Sequence, residues 1–183
     1  MTLRIDDIER LLASGAARAV DDPRSGAAMS FTHLDHALQT ASVLRSQFPD
    51  DSELAVAGLV HDIGHLLEGV GDAEHAEAGA AAVRVALGER VAGLVGLHVE
   101  AKRYLVALQV TYEGTLAADS VASLALQGGP MSPDEQGAFE QLPHARDGLL
   151  LRRADEGGKV DGLVVGGLSD WMPLVRRVSA TLD

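Results

Sequence analysis

Histidine and aspartate side chains recur in this chain within apolar helical segments, and their types are those of metal ligands. Asp62 follows His61 directly inside the segment "GLVHDIGHLL" (58–67). Taken singly, a histidine on an apolar helix face is more often a core or boundary residue than a ligand. Here, however, four histidines fall on four separate predicted helices, each among small and apolar residues: His36, His61, His75 and His98. Packing alone explains such a set poorly.

The adjacent residues His61 and Asp62 can serve the same metal site only if that site is large. Adjacent residues on a helix point about 100° apart, so both side chains can serve one site only if it is large and lies between them. Two metal ions about 4 Å apart, bridged by the carboxylate, meet this condition. A buried aspartate without a partner is costly, and bound cations remove that cost. The doublet therefore favours a two-metal centre.

Two cations are placed within one helical turn of candidate ligands. Lys102 is four positions after His98, and Arg152 is three positions before Asp155, so each pair shares a helix face. In a protein of net charge −12, cations beside a metal site indicate that the site binds an anion. The alternative is that Lys102 and Arg152 are solvated surface charges or members of ion pairs.

The elements that must position these residues are predicted to be helical, because apolar residues recur at helical spacing and strand-like alternation is rare. A weak strand candidate is "KVDGLVV" (159–165), and "DDPRSGAAMS" (21–30) is predicted to be a loop. Thr32 and Asp35 have the spacing of a capping box. We predict helices over 3–20, 32–48, 53–67, 73–87, 89–108, 115–126, 132–140, 145–156 and 169–181. The pattern indicates an all-α protein, a compact helical bundle.

Composition narrows the class of protein further. With 183 residues, 46% of them hydrophobic, the chain suits one domain over 1–183, with a core of about 30–160 on which a C-terminal helix packs. The net charge of −12 argues against nucleic-acid partners and anionic membranes. Without cysteine there is no disulfide framework, and no apolar run approaches a membrane span. We therefore expect a cytoplasmic protein. Apolar segments such as "LGERVAGLVGL" (87–97) leave a homodimer open.

Five blocks of sequence, in order, resemble one family. The order His, His-Asp, His, His, Asp is that of HD-domain proteins. Within that superfamily the blocks resemble the mixed-valence diiron oxygenases that cleave organophosphonates, such as 2-amino-1-hydroxyethylphosphonate dioxygenase and its trimethylammonio counterpart. The resemblance covers about residues 30–160. The blocks are "HALQTA" (36–41), "HDIGHLL" (61–67), "HVEAKRYL" (98–105), "SVASLALQGGPMS" (120–132) and "RRADEGGK" (152–159).

The resemblance implies a ligand set, a substrate and a reaction. It implies two iron ions, Fe(II) and Fe(III), with Asp62 bridging them, and O2 as cosubstrate. It implies oxidative cleavage of the C–P bond of a 1-hydroxyphosphonate, with Asp62 and His65 in the catalytic site and His65 beside the ligands. The implied ligands are His36, His61, Asp62, His75, His98 and Asp155. The implied phosphonate-binding residues are Lys102, Ser120, Ser123 and Arg152, with Gln127 nearby.

One loop departs from the family. The enzyme for the amino-substituted substrate has a Tyr and a Glu before the first ligand helix, and they recognise the amine of the substrate. By spacing from His36, the matching positions here are Gly26 and Met29, and no Tyr or Glu occurs in 21–35. The substrate group distal to the phosphonate is therefore expected to be smaller or neutral, or to be an amine bound by Asp35 or another acid.

Two other functions fit part of the pattern. An HD phosphohydrolase acting on a nucleotide or a small phosphate ester would use the same ligands to activate water, and its turnover would need no oxygen. A metal-bound helical module for regulation or assembly would bind iron but no phosphonate. The anion-binding residues beside an intact ligand set favour the oxygenase.

Overall fold

Helices make up most of the structure. The computed structural model describes residues 2–21, 28–109, 111, 112, 114 and 116–182, without the side chains at 21, 28–30, 118 and 119. Its α-helices are α1 (Ile5–Ser14), α2 (His33–Gln47), α3 (Ser52–Val60), α4 (His75–Leu108), α5 (Ala118–Leu126), α6 (Pro133–Glu140), α7 (Ala145–Gly157) and α8 (Leu168–Ala180). Short 3-10 helices cover Gly15–Ala17 and Ile63–Leu66. The all-α prediction is confirmed. Along the described residues, no helix has the length and apolar character needed to cross a membrane.

A small hairpin corrects the prediction near the N-terminus. The predicted helix over 3–20 ends at Ser14, and β1 (Ala19–Asp21) pairs antiparallel with β2 (Ala28–Thr32), partly inside the predicted loop. Tertiary contacts outweigh helix propensity here: the backbone NH of His33 donates to the carbonyl of Arg18 at 3.0 Å, and Phe31 is buried. Strands of three and five residues are too short to show a clear alternation in the sequence.

Helix starts follow the signals in the sequence. Thr32 Oγ1 accepts from the backbone NH of Asp35 at 3.1 Å, and the Asp35 carboxylate accepts from the NH of Thr32 at 2.9 Å. This capping box begins α2 as predicted. Asp51 caps α3 by accepting from the NH of Leu54 at 3.0 Å. The caps fix where the helices that carry His36 and His61 begin.

Glycines bring the ligand-bearing segments together. Gly88 has φ 85° and ψ 172°, which breaks α4 into two arms, 75–87 and 89–108, as the sequence predicted. Because the arms fold back on each other, His75 on one arm meets His98 on the other. A Cβ at Gly58 would lie 2.6 Å from Leu44 and 3.3 Å from Ala41, so glycine permits close packing of α3 on α2.

The apolar core lies between α2, α3, α4 and α7 and continues under α8. Leu44, Leu59, Leu87 and Leu151 are fully buried in it. Trp171 of α8 is buried in the same cluster and does not border the cavity described below. The core therefore packs together the four elements on which the candidate ligands lie.

An ion-pair network on Arg90 ties three of these elements. Its guanidinium donates to Asp51 at 2.6 and 2.7 Å, to Glu53 at 3.1 Å and to Asp147 at 2.9 Å. These hydrogen bonds lower the pKa of Asp51. Arg90→Leu would leave three carboxylates facing each other, so we expect the free energy of unfolding to fall by about 2 kcal/mol. Denaturant titration with thermal unfolding measures this loss.

Arg84→Leu is the matched control for that variant. Among the residues that the structure describes, Arg84 pairs with Glu89, and the two side chains are 44% and 78% exposed. Exposed pairs contribute less than about 1 kcal/mol. Equal losses in the two variants would contradict a structural role for the Arg90 network.

Candidate metal centre and anion pocket

The His61–Asp62 doublet lies at the end of α3 and not within a longer helix. The predicted helix over 53–67 ends at Val60, and the chain tightens into the 3-10 turn that begins at Ile63. Gly64 in this turn approaches the first turn of α4 so closely that a Cβ would lie 1.9 Å from the carbonyl oxygen of His75. The tight turn presents both His61 and Asp62 to one site, which an unbroken helix would do less readily.

All four candidate histidines are oriented in the same way. In each, Nδ1 lies within hydrogen-bonding distance of a backbone carbonyl: Gly158 O at 2.9 Å for His36, Gly58 O at 2.8 Å for His61, Asp72 O at 2.5 Å for His75 and Val95 O at 2.6 Å for His98. Since a carbonyl only accepts, Nδ1 carries the hydrogen and Nε2 is left as a lone-pair donor. Such contacts are typical of metal-binding histidines.

The four Nε2 atoms form two pairs. Those of His36 and His61 are 3.2 Å apart, and those of His75 and His98 are 2.9 Å apart. Asp62 lies between the pairs: Oδ2 is 3.6 and 3.4 Å from the first pair, and Oδ1 is 3.6 and 3.4 Å from the second. The two oxygens of one carboxylate thus face two different pairs of histidines.

Asp155 completes the first group. Its Oδ1 lies 3.2 Å from His36 Nε2 and 3.8 Å from His61 Nε2, and its side chain is buried. Burial opposes a charge on His61, but the carboxylates of Asp62 and Asp155 outweigh burial and raise its pKa to about 9. The site thus attracts positive charge strongly.

The donor set fits iron. Two imidazole lone pairs that face each other at about 3 Å repel unless a cation lies between them, and both pairs here have this geometry. His36, His61 and Asp62 form one group that can hold a metal, and Asp62, His75 and His98 form a second. Imidazole and carboxylate ligands without thiolate suit iron among the transition metals. The centre would therefore hold two cations.

The two predicted cations border a cavity of about 350 Å³ beside the metal ligands. Lys102 and Arg152 are only 4% and 3% exposed, so the alternative of solvated surface charges is wrong. Arg152 does form ion pairs, with Asp155 and Glu156, and these lie within the site. Burial lowers the pKa of Lys102 to about 8, with the charges of Arg152 and Lys159 acting in the same direction.

The predicted serines connect these cations. Lys102 Nζ donates to Ser123 Oγ at 2.7 Å, and Arg152 donates to Ser120 Oγ at 3.1 Å. A third cation, Lys159, donates to the same Ser120 Oγ at 2.8 Å. Lys159 was not predicted to belong to the site; it lies just beyond the end of α7, four positions after Asp155, and its Nζ is 4.0 Å from Asp155 Oδ1. Three cations and two hydroxyls therefore line one part of the cavity.

Gln127 and His65 both border the cavity. Gln127 donates to the Asp72 carboxylate at 3.3 Å. The His65 ring stacks on the His75 ring with centroids 3.9 Å apart and an interplanar angle of 17°. Burial lowers the pKa of His65 to about 3, so this ring is neutral at physiological pH. His65 also forms a third group with Asp72 and His75 that could hold a metal, but His75 already belongs to the paired sites.

The residues that the sequence suggested as contacts for the distal group of the substrate do not border the cavity or lie outside the described residues. Asp35 is exposed, caps α2 and does not belong to the cavity lining, so it does not bind an amine there. Gly26 and the Met29 side chain lie outside the described residues. Arg18, Val20, His33 and Asp72 do border the cavity and were not assigned to it from sequence.

Three curated proteins and one family model are similar to the chain. The family model of myo-inositol oxygenase matches residues 14–83. Hydroxymethylphosphonate dioxygenase of Gimesia maris is 37% identical over 151 residues, which cover 78% of this chain and 75% of that protein. [1-Hydroxy-2-(trimethylamino)ethyl]phosphonate dioxygenase (glycine-betaine-forming) of Leisingera caerulea is 34% identical over 155 residues, covering 80% and 79%. Uncharacterized protein L432 of Acanthamoeba polyphaga mimivirus is 31% identical over 141 residues, covering 72% and 64%.

Proposed function

Because the chain belongs to the HD-domain diiron oxygenases that cleave organophosphonates, we propose that its paired histidines hold two iron ions and that its buried cations bind a 1-hydroxyphosphonate. The protein is an oxygenase that uses O2 to cleave the C–P bond of its substrate, which yields inorganic phosphate and a carboxylate. The observation that best supports two iron positions is the place of Asp62, because each of its oxygens faces a different histidine pair.

The ligand groups define the two iron positions. Asp62 would hold both ions, since its Oδ2 faces His36 and His61 and its Oδ1 faces His75 and His98. Iron bound there, as an Fe(II)/Fe(III) pair, supplies the redox chemistry that activates O2 and removes electrons from the substrate carbon. His36, His61 and Asp155 belong to the first position, and His75 and His98 belong to the second.

The chemistry needs no external reductant. Conversion of a 1-hydroxyphosphonate to a carboxylate and phosphate removes four electrons, which is the number that one O2 accepts. Both oxygen atoms enter the products, so one O2 is consumed for each phosphate released.

The phosphonate is held by charge. Lys102, Arg152 and Lys159 surround Ser120 and Ser123, and a phosphonate dianion beside them would receive charge-assisted hydrogen bonds from all three cations. Because these cations are buried, their attraction for an anion is weakly screened by salt. The carbon attached to the phosphonate would then lie beside the metal ligands that border the same cavity.

His65 and Gln127 shape the wall of the cavity. The stacked, neutral His65 ring limits the rotation of the His75 ring. The backbone carbonyl of Asp72 also fixes the orientation of this ring, because it accepts a hydrogen bond from His75 Nδ1. Gln127 holds the side chain of Asp72. We assign His65 to the catalytic site through this contact with His75 and its place on the cavity wall.

Oxygen consumption tests the proposed function directly. The iron-loaded, partly reduced protein is given hydroxymethylphosphonate, 2-amino-1-hydroxyethylphosphonate and other 1-hydroxyphosphonates, while O2 uptake and phosphate release are followed together. We expect one phosphate per O2, with the small neutral substrate preferred. Phosphate release from phosphate esters under argon, without O2 uptake on any phosphonate, would instead identify a phosphohydrolase.

Binding of the phosphonate should weaken as the pH rises through about 8. The pKa of Lys102 is lowered to about 8, so its ammonium group is present below that pH and is lost above it. The inhibition constant of a substrate analogue, measured from pH 6 to 10, should therefore increase above pH 8. Lys102→Arg, which keeps its charge over this range, should bind more weakly at pH 7 but without that increase. An identical pH profile in the two proteins would contradict a role for Lys102 in binding.

A further inference from the structure

We propose that Arg18 selects among 1-hydroxyphosphonates by repelling those with a cationic distal group, so that this enzyme takes neutral or anionic substituents. The inference rests on the proposed function, because it assumes that the phosphonate occupies the cluster of Lys102, Arg152 and Lys159. Arg18 precedes β1 and borders the same cavity, next to Val20.

Arg18 presents a charge that is not used by the protein. Within the described residues, its guanidinium has no ion pair and no side-chain hydrogen bond, and its hydrogen bonds are made by the backbone: the NH donates to the carbonyl of Gly15 and the carbonyl accepts from the NH of His33. An arginine remains charged at every pH at which the protein folds. The other cations of the cavity are different, because all three donate to the two serines of the phosphonate cluster.

The balance of charge on the cavity wall favours the same substrates. Apart from the metal ligands Asp62 and Asp155, the acid among the described lining residues is Asp72. Its carboxylate accepts from Gln127 at 3.3 Å and lies 3.8 Å from His65 Nε2. Asp72 is therefore hydrogen-bonded to the wall through one oxygen, whereas the guanidinium of Arg18 has no partner among the described residues. A substrate ammonium group would be repelled by the guanidinium of Arg18 at this edge of the cavity.

Apolar residues near Arg18 indicate how the rest of a substituent would be accommodated. Val20, Val70, Val99 and Leu126 also border the cavity. They suit a hydrogen atom or a short alkyl group and supply no partner for an ammonium group. The combination of apolar walls and one rim cation admits an uncharged or acidic substituent.

Binding of two isosteric phosphonates under argon tests this role without turnover. Propylphosphonate and 2-aminoethylphosphonate have equal length and differ in a terminal methyl or ammonium group. We expect the iron-loaded wild-type protein to prefer propylphosphonate in calorimetry. Inside one cavity, reversal of a rim charge should change affinity for a unit charge by about tenfold. Arg18→Glu should therefore shift the ratio of the two dissociation constants by about tenfold toward the amine, and Arg18→Gln by less.

Arg146→Glu is the matched control. Arg146 is exposed on α7, lies outside the cavity lining and undergoes the same change of charge, so its ratio should equal that of the wild type. A ratio in Arg18→Glu within twofold of the Arg146→Glu ratio would overturn the proposal. So would a wild-type preference for 2-aminoethylphosphonate that Arg18→Glu leaves in place, since Asp72 would then bind the amine.

The two proposals fail in different ways. If the wild-type and variant proteins bind the phosphonates in the expected ratios but consume no O2 with any 1-hydroxyphosphonate, the role of Arg18 stands and the proposed reaction falls. If O2 uptake and phosphate release are as expected but the ratios do not change, the reaction stands and the role of Arg18 falls. If the wild-type protein binds no phosphonate, both are overturned.

Discussion

Replacing Asp62 with asparagine is expected to remove both metal ions and to lower turnover by more than about a thousandfold. Each oxygen of this carboxylate faces a different pair of histidines, so a single side chain serves both metal positions. Asparagine offers one oxygen without a full charge, and its amide hydrogens would face one of the two positions. Metal analysis of the purified variant, with O2 uptake on its best substrate, measures both effects.

Asp161→Asn is the control variant, because it makes the same substitution at a residue outside the metal centre. Asp161 is exposed in the segment after α7, and the same substitution there should leave two metal ions per chain and full turnover. An Asp62→Asn protein that still binds two ions would show that Asp62 does not bridge them. Loss of one ion only would assign Asp62 to a single position and would also contradict the proposed centre.

The second large effect is expected at Arg152. Arg152→Ala removes a buried guanidinium that contacts Ser120, Asp155 and Glu156, so we expect kcat/KM for the phosphonate to fall by about a thousandfold, mostly through KM. The free energy of unfolding should fall by about 3 kcal/mol, because the carboxylates of buried Asp155 and partly buried Glu156 lose this partner. Iron should remain bound when metal is in excess, since the metal ion then compensates Asp155.

A variant of the neighbouring Arg153 is the control, because it removes a positive charge from α7 outside the anion pocket. Arg153 is exposed and has a 3.5 Å contact with Gln109, so Arg153→Ala should change neither KM nor stability by a measurable amount. Steady-state kinetics and thermal unfolding of both variants make the comparison. Unchanged kinetics in Arg152→Ala would contradict the assignment of an anion pocket.

Local signals in the sequence predicted most of the helices because their causes are local. The capping box at Thr32 and the break at Gly88 depend on side-chain and backbone chemistry within a few residues, and both are confirmed. The hairpin has no local signal because its pairing joins two short segments that are apart in the sequence. The predicted helix over 53–67 is too long because the turn at Gly64 is imposed by close contact with the backbone of His75.

Candidate ligands could be chosen from residue type and order, but their geometry could not. No sequence pattern states that Nδ1 of His36 meets the carbonyl of Gly158, 122 positions later, or that Lys159 shares Ser120 with Arg152. These contacts depend on how α2, α5 and α7 pack. Lys159 lies beyond the end of α7, so helical spacing from Asp155 does not indicate that it belongs to the site.

Because α4 folds back on itself, the metal position at His75 and His98 costs less chain entropy to close than the position at His36 and His61. His75 and His98 are 23 residues apart, so a short loop closes their position. The other position depends on contacts between α2 and the end of α7, as the 122-residue separation of His36 and Gly158 shows. The longer closure costs about 1.5 kcal/mol more in chain entropy. In a partly unfolded chain, the hairpin of α4 can therefore retain its half of the centre after the long-range half has opened, so metal loss and global unfolding are stepwise events.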